Sequence, residues 1–129
     1  MANGTIAFDT LSTSGQITGT AKSLDTDYVV NGSLKAWGNL NGSSFGLRDS
    51  FNFASATDNG TGTYTVTYTS AMGNTNYSTS GSGSDGRNFY VHHSNTYSTA
   101  AFKMNINERS DNSAIDADYI GFEVAGDLA

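Results

Sequence analysis

No stretch of this chain keeps apolar residues at i, i+3, i+4 and i+7 long enough to specify a helix; its apolar side chains recur at every second position instead. Over 63–69, Tyr64, Val66 and Tyr68 share one face, and Thr63, Thr65, Thr67 and Thr69 share the other. Over 34–40, Leu34, Ala36, Gly38 and Leu40 alternate with Lys35, Trp37 and Asn39. Phe102, Met104 and Ile106 alternate with Lys103, Asn105 and Asn107, and Ile120, Phe122 and Val124 alternate with Tyr119, Gly121 and Glu123. Further strands are expected at 88–93 and around Phe51 and Phe53, which period two places on one face.

The turn chemistry agrees. With no proline in the chain, Gly, Asn and Asp must make the turns. Asn41-Gly42 is a ready turn after the 34–40 strand, and Asp58, Asn59, Gly60, Thr61 and Gly62 form the loop of a hairpin ending in 63–69. The run "SGSGSDG" at 80–86 has no side chain able to pack and reads as a mobile loop. About seven short strands with regular turn signals predict an all-β protein, an antiparallel β-sandwich or jelly-roll-like head. Outward Thr and Tyr residues suggest that its surface meets something.

Composition narrows the function. Gly, Ser, Thr and Asn make up nearly half of the 129 residues and charged residues only 14%, yet 12% aromatics argue for a folded core rather than disorder. A net charge of −6 with six scattered Lys and Arg disfavours nucleic acid and anionic membrane. The absence of cysteine removes disulfides and thiolate metal sites. No window reaches the ~20 apolar residues of a membrane helix. The N-terminus lacks the pattern of a secretory signal, so folding in the cytoplasm where the chain is made is expected. Residues 1–32 hold few large apolar side chains and read either as an arm that docks elsewhere or as edge strands of the same domain.

Chemistry-bearing residues are sparse. His92 and His93 are adjacent, so on a strand they point to opposite faces and do not chelate one ion together. Asp25-Thr26-Asp27 and Asp116-Ala117-Asp118, with Asp111 near the second, could begin a calcium site, but the twelve-residue calcium loop is missing and solvated turns explain them. No G-x-S-x-G, phosphate loop or dinucleotide fingerprint occurs, and no two of the twelve acids are singled out as a glycosidase pair. The Asn-Gly-Thr/Ser triplets at Asn3, Asn31, Asn41 and Asn59 are better explained as turns than as glycosylation acceptors. Neither a cofactor nor a metal is expected. The best contact candidates lie in "GRNFYVHHSNTY": Arg87, Asn88, Tyr90, His92, His93, Asn95 and Tyr97, residue types that stack on sugar rings and hydrogen-bond polar surfaces. Against this stands the plainer reading that Phe89 and Val91 are core and the rest faces water.

Residues 35–77 carry a family resemblance. Lys35, Trp37, Asn39, Asn41 and Gly42 are followed by Arg48, Ser50, Phe51 and Asn52, then by Thr57 through Gly62, and by Tyr64, Thr65, Val66, Ala71, Met72 and Tyr77. This segment closely resembles a module common in tail-fibre and related structural proteins of tailed bacteriophages, especially marine and cyanobacterial phages. Residues 19–33 look like its usual lead-in, and "AFKMNI" and "DYIGFEVAGD" fit less specifically. Gly73 stands where the family often has proline, and Gly38 replaces a bulkier residue. The resemblance implies a homotrimeric virion protein and no enzyme, with residues 1–32 as an attachment or intertwining segment and 33–129 as the fibre head. Its expected role is host-surface recognition from the tail fibre or tail tip, with other virion proteins and host polysaccharide as partners. The alternative is a capsid decoration or neck protein without receptor binding. A small capsule-degrading hydrolase is disfavoured by length and by the missing catalytic constellation.

Overall fold

The chain divides into two units, residues 1–32 and 33–129. The computed structural model describes residues 16–18, 23–91 and 97–129. In the first unit, β1 (Gln16–Thr18) and β2 (Ser23–Asp25) pair antiparallel, with Ile17 opposite Leu24. They lead into a seven-residue helix, α1 (Thr26–Gly32), which exposes Val29 and Val30. About two turns of helix is below the length at which apolar periodicity signals one.

The second unit is built from β3 (Leu34–Asn41), β4 (Gly46–Phe51), β5 (Phe53–Asp58), β6 (Thr63–Tyr68), β7 (Ser78–Gly83), β8 (Asn88–Val91), β9 (Ala101–Asn107) and β10 (Ile120–Ala125). These form two four-stranded antiparallel sheets, in the orders β4-β3-β10-β7 and β5-β6-β9-β8. The unit is thus an all-β antiparallel sandwich, as the strand periodicity predicts.

The inner faces meet in one core. Ala36, Leu40, Ile120, Phe122 and Val124 come from the first sheet; Tyr64, Val66, Tyr68, Phe102, Met104 and Ile106 come from the second. Phe53 links them: its ring lies 5.2 Å from that of Tyr68 in its own sheet and 5.3 Å from that of Phe122 in the other. Offset and tilted ring pairs of this kind add stabilisation beyond the area they bury.

Three expectations are corrected. The first concerns 80–86, which is not a loop: Ser78–Gly83 is the edge strand β7, paired along its whole length with β10, and only Ser84–Gly86 turns. Its glycines are small because their neighbours are close. A Cβ at Gly81 would stand 2.6 Å from the Phe89 ring, and one at Gly38 would stand 2.6 Å from the Phe122 ring. Phe122 lies directly between these two glycines in the register.

The second correction is that Phe51 and Phe53 do not share a face. Asn52 between them adopts φ +59° and moves the chain from one sheet to the other, so Phe53 is buried and Phe51 exposed. Its side chain fixes the crossing: Nδ2 donates to the carbonyls of Lys35 and Ser70 at 3.0 and 3.1 Å, and Oδ1 accepts from Ser70 N at 2.7 Å. Asn is among the few residues other than Gly that visit this region readily.

The third is that Leu34 leaves the face of Ala36. The register against β10 runs from Ala36–Val124 to Leu34–Ala125, so Lys35 is an extra, bulged residue. The bulge buries Lys35, whose Nζ donates to Ser33, and turns Leu34 outward.

Candidate functional site

The outer face of the first sheet is set by cross-strand register. One row reads Phe51, Trp37, Glu123 and Ser80; the next reads Asp49, Asn39, Gly121 and Ser82. Side chains directly opposite each other in antiparallel strands project to the same side. The two rows therefore form one patch in which large aromatics lie beside short polar groups.

Trp37 is 39% exposed although it stands on a central strand of its sheet, and Phe51 beside it is 53% exposed. Between Trp37 and β7 runs an open groove of about 580 Å³, lined by Leu34, Trp37, Asn39, Ser80, Ser82 and Glu123, with Gly121 in its middle. This volume falls within the roughly 300–1,000 Å³ of small-ligand sites. Ser80 Oγ donates to Glu123 Oε1 at 2.8 Å, which holds the carboxylate over the sheet next to Trp37.

Arg48 sits beside Asn39. It is the bulged residue of β4, because the register passes from Asn39–Asp49 to Leu40–Leu47. Its Nη1 donates to Asn39 Oδ1 at 3.4 Å and to the Asp118 carbonyl, and its guanidinium carbon lies 3.9 Å from the centre of the Tyr119 ring. The cation is thereby engaged by an amide, a carbonyl and a ring.

The candidates in the 87–97 run are divided among different neighbours. Arg87 is largely covered and holds together the 84–86 turn and the loop after β9, at 2.7 Å from Asp85 and 3.6 Å from Glu108. Asn88 and Tyr90 lie on the outer face of the second sheet, opposite Asn107 and Asn105. The Tyr90 hydroxyl donates to Asn112 Oδ1 at 3.2 Å. Tyr97 is elsewhere: its ring packs 4.8 Å from that of Tyr77, and its hydroxyl is 2.9 Å from Thr79 Oγ1 on β7. His92, His93 and Asn95 lie outside the described residues.

The acidic residues flagged near the C-terminus serve local structure. Asp116 Oδ1 accepts from the Tyr64 hydroxyl at 2.5 Å and from Gly62 N at 2.7 Å. Asp111 accepts from Ser113 N and Oγ, and those bonds hold its carboxyl below the usual range. Among the described residues, no three His, Asp or Glu side chains gather as a metal cluster.

Sequence reasoning missed the outer face of the first sheet because one wall of its groove comes from β7, which reads as a loop. A signal was present: Ser78, Ser80 and Ser82 alternate with Thr79, Gly81 and Gly83, and the single tryptophan falls on the polar face of "LKAWGNL". Neither a family model, nor a curated protein, nor a solved structure matches this chain.

Proposed function

We propose that this chain is a structural protein of a tailed-phage virion, a tail-fibre or fibre-tip module that attaches to the host surface by binding glycan. The observation that carries the binding role is the outer face of the first sheet. There Trp37 stands in water with Glu123, Asn39, Ser80 and Ser82 around an open groove, and Phe51 is exposed beside Trp37. Exposed aromatics with fixed polar neighbours mark a recognition surface rather than a passive one. The resemblance of 35–77 to phage fibre modules supplies the virion context, and Trp37, Asn39 and Phe51 are among the residues that carry it.

The module is a binder and not an enzyme. The family resemblance implies no enzyme and brings no catalytic residues with it. A homotrimer fits the exposure of Val29 and Val30 on α1, which are 49% and 58% accessible in the single chain.

Gold-tagged antibody against the chain, imaged on purified virions, tests the placement. Label at the tail end or its appendages is expected. Label spread over the capsid would replace attachment with decoration, and virions without label would remove the virion assignment.

A further inference from the structure

Four glycines lie on the two central strands and the β7 edge of the first sheet, and three have a packing reason: at Gly83 a Cβ would stand 3.0 Å from Arg87 Cβ. Gly38 and Gly81 face inward, where a Cβ would collide with the rings of Phe122 and Phe89. Gly121 faces outward, and the only atom within 4 Å of its ideal Cβ is Ser82 Oγ, at 3.9 Å. Its φ is not in the left-handed region either. Glycine in the interior of a central strand weakens the strand, and its use commonly marks close approach of another molecule. Neither sterics nor backbone conformation demands glycine here. What the missing side chain provides is the open floor of the groove.

The surroundings of that floor specify an occupant. The indole of Trp37 forms one wall and offers a flat apolar surface. The carboxylate of Glu123 stands directly across from it in the register, with Oε1 fixed by Ser80; among the described residues Oε2 is not engaged. Asn39 and Ser82 flank Gly121 on either side. A pyranose ring matches this set. Its C–H face packs on an aromatic ring, while its rim carries hydroxyls that donate to a carboxylate and exchange hydrogen bonds with serine and amide groups.

Charge selects within the sugars. Glu123 lines the groove, Asp49 ends the Gly121 row, and no Lys or Arg lines it. Arg48, which reaches Asn39 from β4, is committed to Asn39, the Asp118 carbonyl and the Tyr119 ring. The chain as a whole carries −6. An anionic sugar would place like charges side by side, which costs binding.

We infer that the groove over Gly121 is a binding site for a neutral pyranose of a polysaccharide, stacked on Trp37 and hydrogen-bonded by Glu123, with uronic and sulfated sugars excluded. This rests on the attachment reading above and names the ligand class of its site.

Trp37 is the only tryptophan, so its emission reports this groove alone. The full chain is titrated with mannan, a β-glucan and a galactan as neutral probes and with alginate as an anionic one. At least one neutral probe is expected to shift Trp37 emission saturably, with alginate at least about tenfold weaker. Gly121→Val fills the floor without a clash and keeps the reporter; it should abolish the shift while circular dichroism remains unchanged. Glu123→Gln should weaken binding several-fold, and Trp37→Ala, read by retention on polysaccharide-coupled beads, about tenfold or more. Equal binding by wild type and Gly121→Val, a preference for alginate, or no response to any neutral probe would overturn the inference. An emission shift that follows protein concentration alone would assign the groove to a second copy and overturn it too. Adsorption assays separate the two claims. Neutral-glycan binding lost in Gly121→Val, without any effect of the protein on phage adsorption, leaves the site standing and removes attachment. Adsorption slowed equally by both proteins does the reverse.

Discussion

Trp37 and Glu123 stand directly opposite each other across β3 and β10, and Ser80 pins the carboxylate from the next strand. The arrangement couples an apolar wall to an acceptor at fixed separation. Ser80→Ala removes the pin but no core contact. Its unfolding free energy should stay within about 0.5 kcal/mol of wild type, while affinity for a neutral glycan falls several-fold. Calorimetric binding and denaturant unfolding measure the two separately.

The glycines of the first sheet should answer differently to a side chain. Gly38→Ala and Gly81→Ala each press a methyl into an aromatic ring 2.6 Å away and should cost about 1–3 kcal/mol. Gly121→Val meets open space on a strand that favours β-branched residues, and should be neutral or stabilising. Thermal melts of the three variants test the contrast; a strongly destabilised Gly121→Val would mean that its glycine serves the fold.

Asn52 is the hinge between the sheets. Asn52→Ala removes three side-chain hydrogen bonds and leaves alanine at φ +59°, so a loss of about 2–4 kcal/mol is expected. Asn52→Gly keeps the backbone conformation and should be the milder change. Urea unfolding at neutral pH distinguishes them.

Alkaline pH should unfold the sandwich through its tyrosines. Burial raises the hydroxyls of Tyr64, Tyr68 and Tyr77 above the ordinary range, and for Tyr64 the bond to Asp116 adds to the effect. A group raised in the folded state contributes stability that is complete below the unfolded value, about pH 10, and is lost as pH rises beyond it. Stability is therefore expected to decline steeply above about pH 10. Tyrosinate absorbance followed against circular dichroism checks this: the three buried hydroxyls should ionise together with unfolding.

Assembly is tested at α1. The 129-residue chain should sediment as a trimer, and Val29→Asp with Val30→Asp should dissociate it while the sandwich melts unchanged. A wild-type monomer at micromolar concentration would contradict the trimer.

The sandwich was legible because its core obeys period two: Tyr64, Val66, Tyr68, Phe102, Met104, Ile106, Ile120, Phe122 and Val124 are all buried. The exceptions each have a local cause. Leu34 was displaced by the bulge at Lys35 and Phe51 by the left-handed Asn52, neither of which a period records. β7 was illegible because its inward positions are Thr79, Gly81 and Gly83, which show no large apolar side chain; Gly81 is kept small by the Phe89 ring and Gly83 by Arg87. The groove was hidden with it, since a surface shared by residues 37, 80 and 123 exists only once the register is known. Arg87 looked like a contact residue, but its charge is spent on Asp85 and Glu108.

The most direct measurement is a titration of isotope-labelled protein with neutral polysaccharide purified from the host envelope, followed by amide and indole nuclear magnetic resonance. The account predicts shifts centred on the Trp37 indole N–H and on the amides of Asn39, Ser82, Gly121 and Glu123. Shifts confined to Tyr90, Asn105 and the 92–96 segment, or no shifts at saturating polysaccharide, would contradict it.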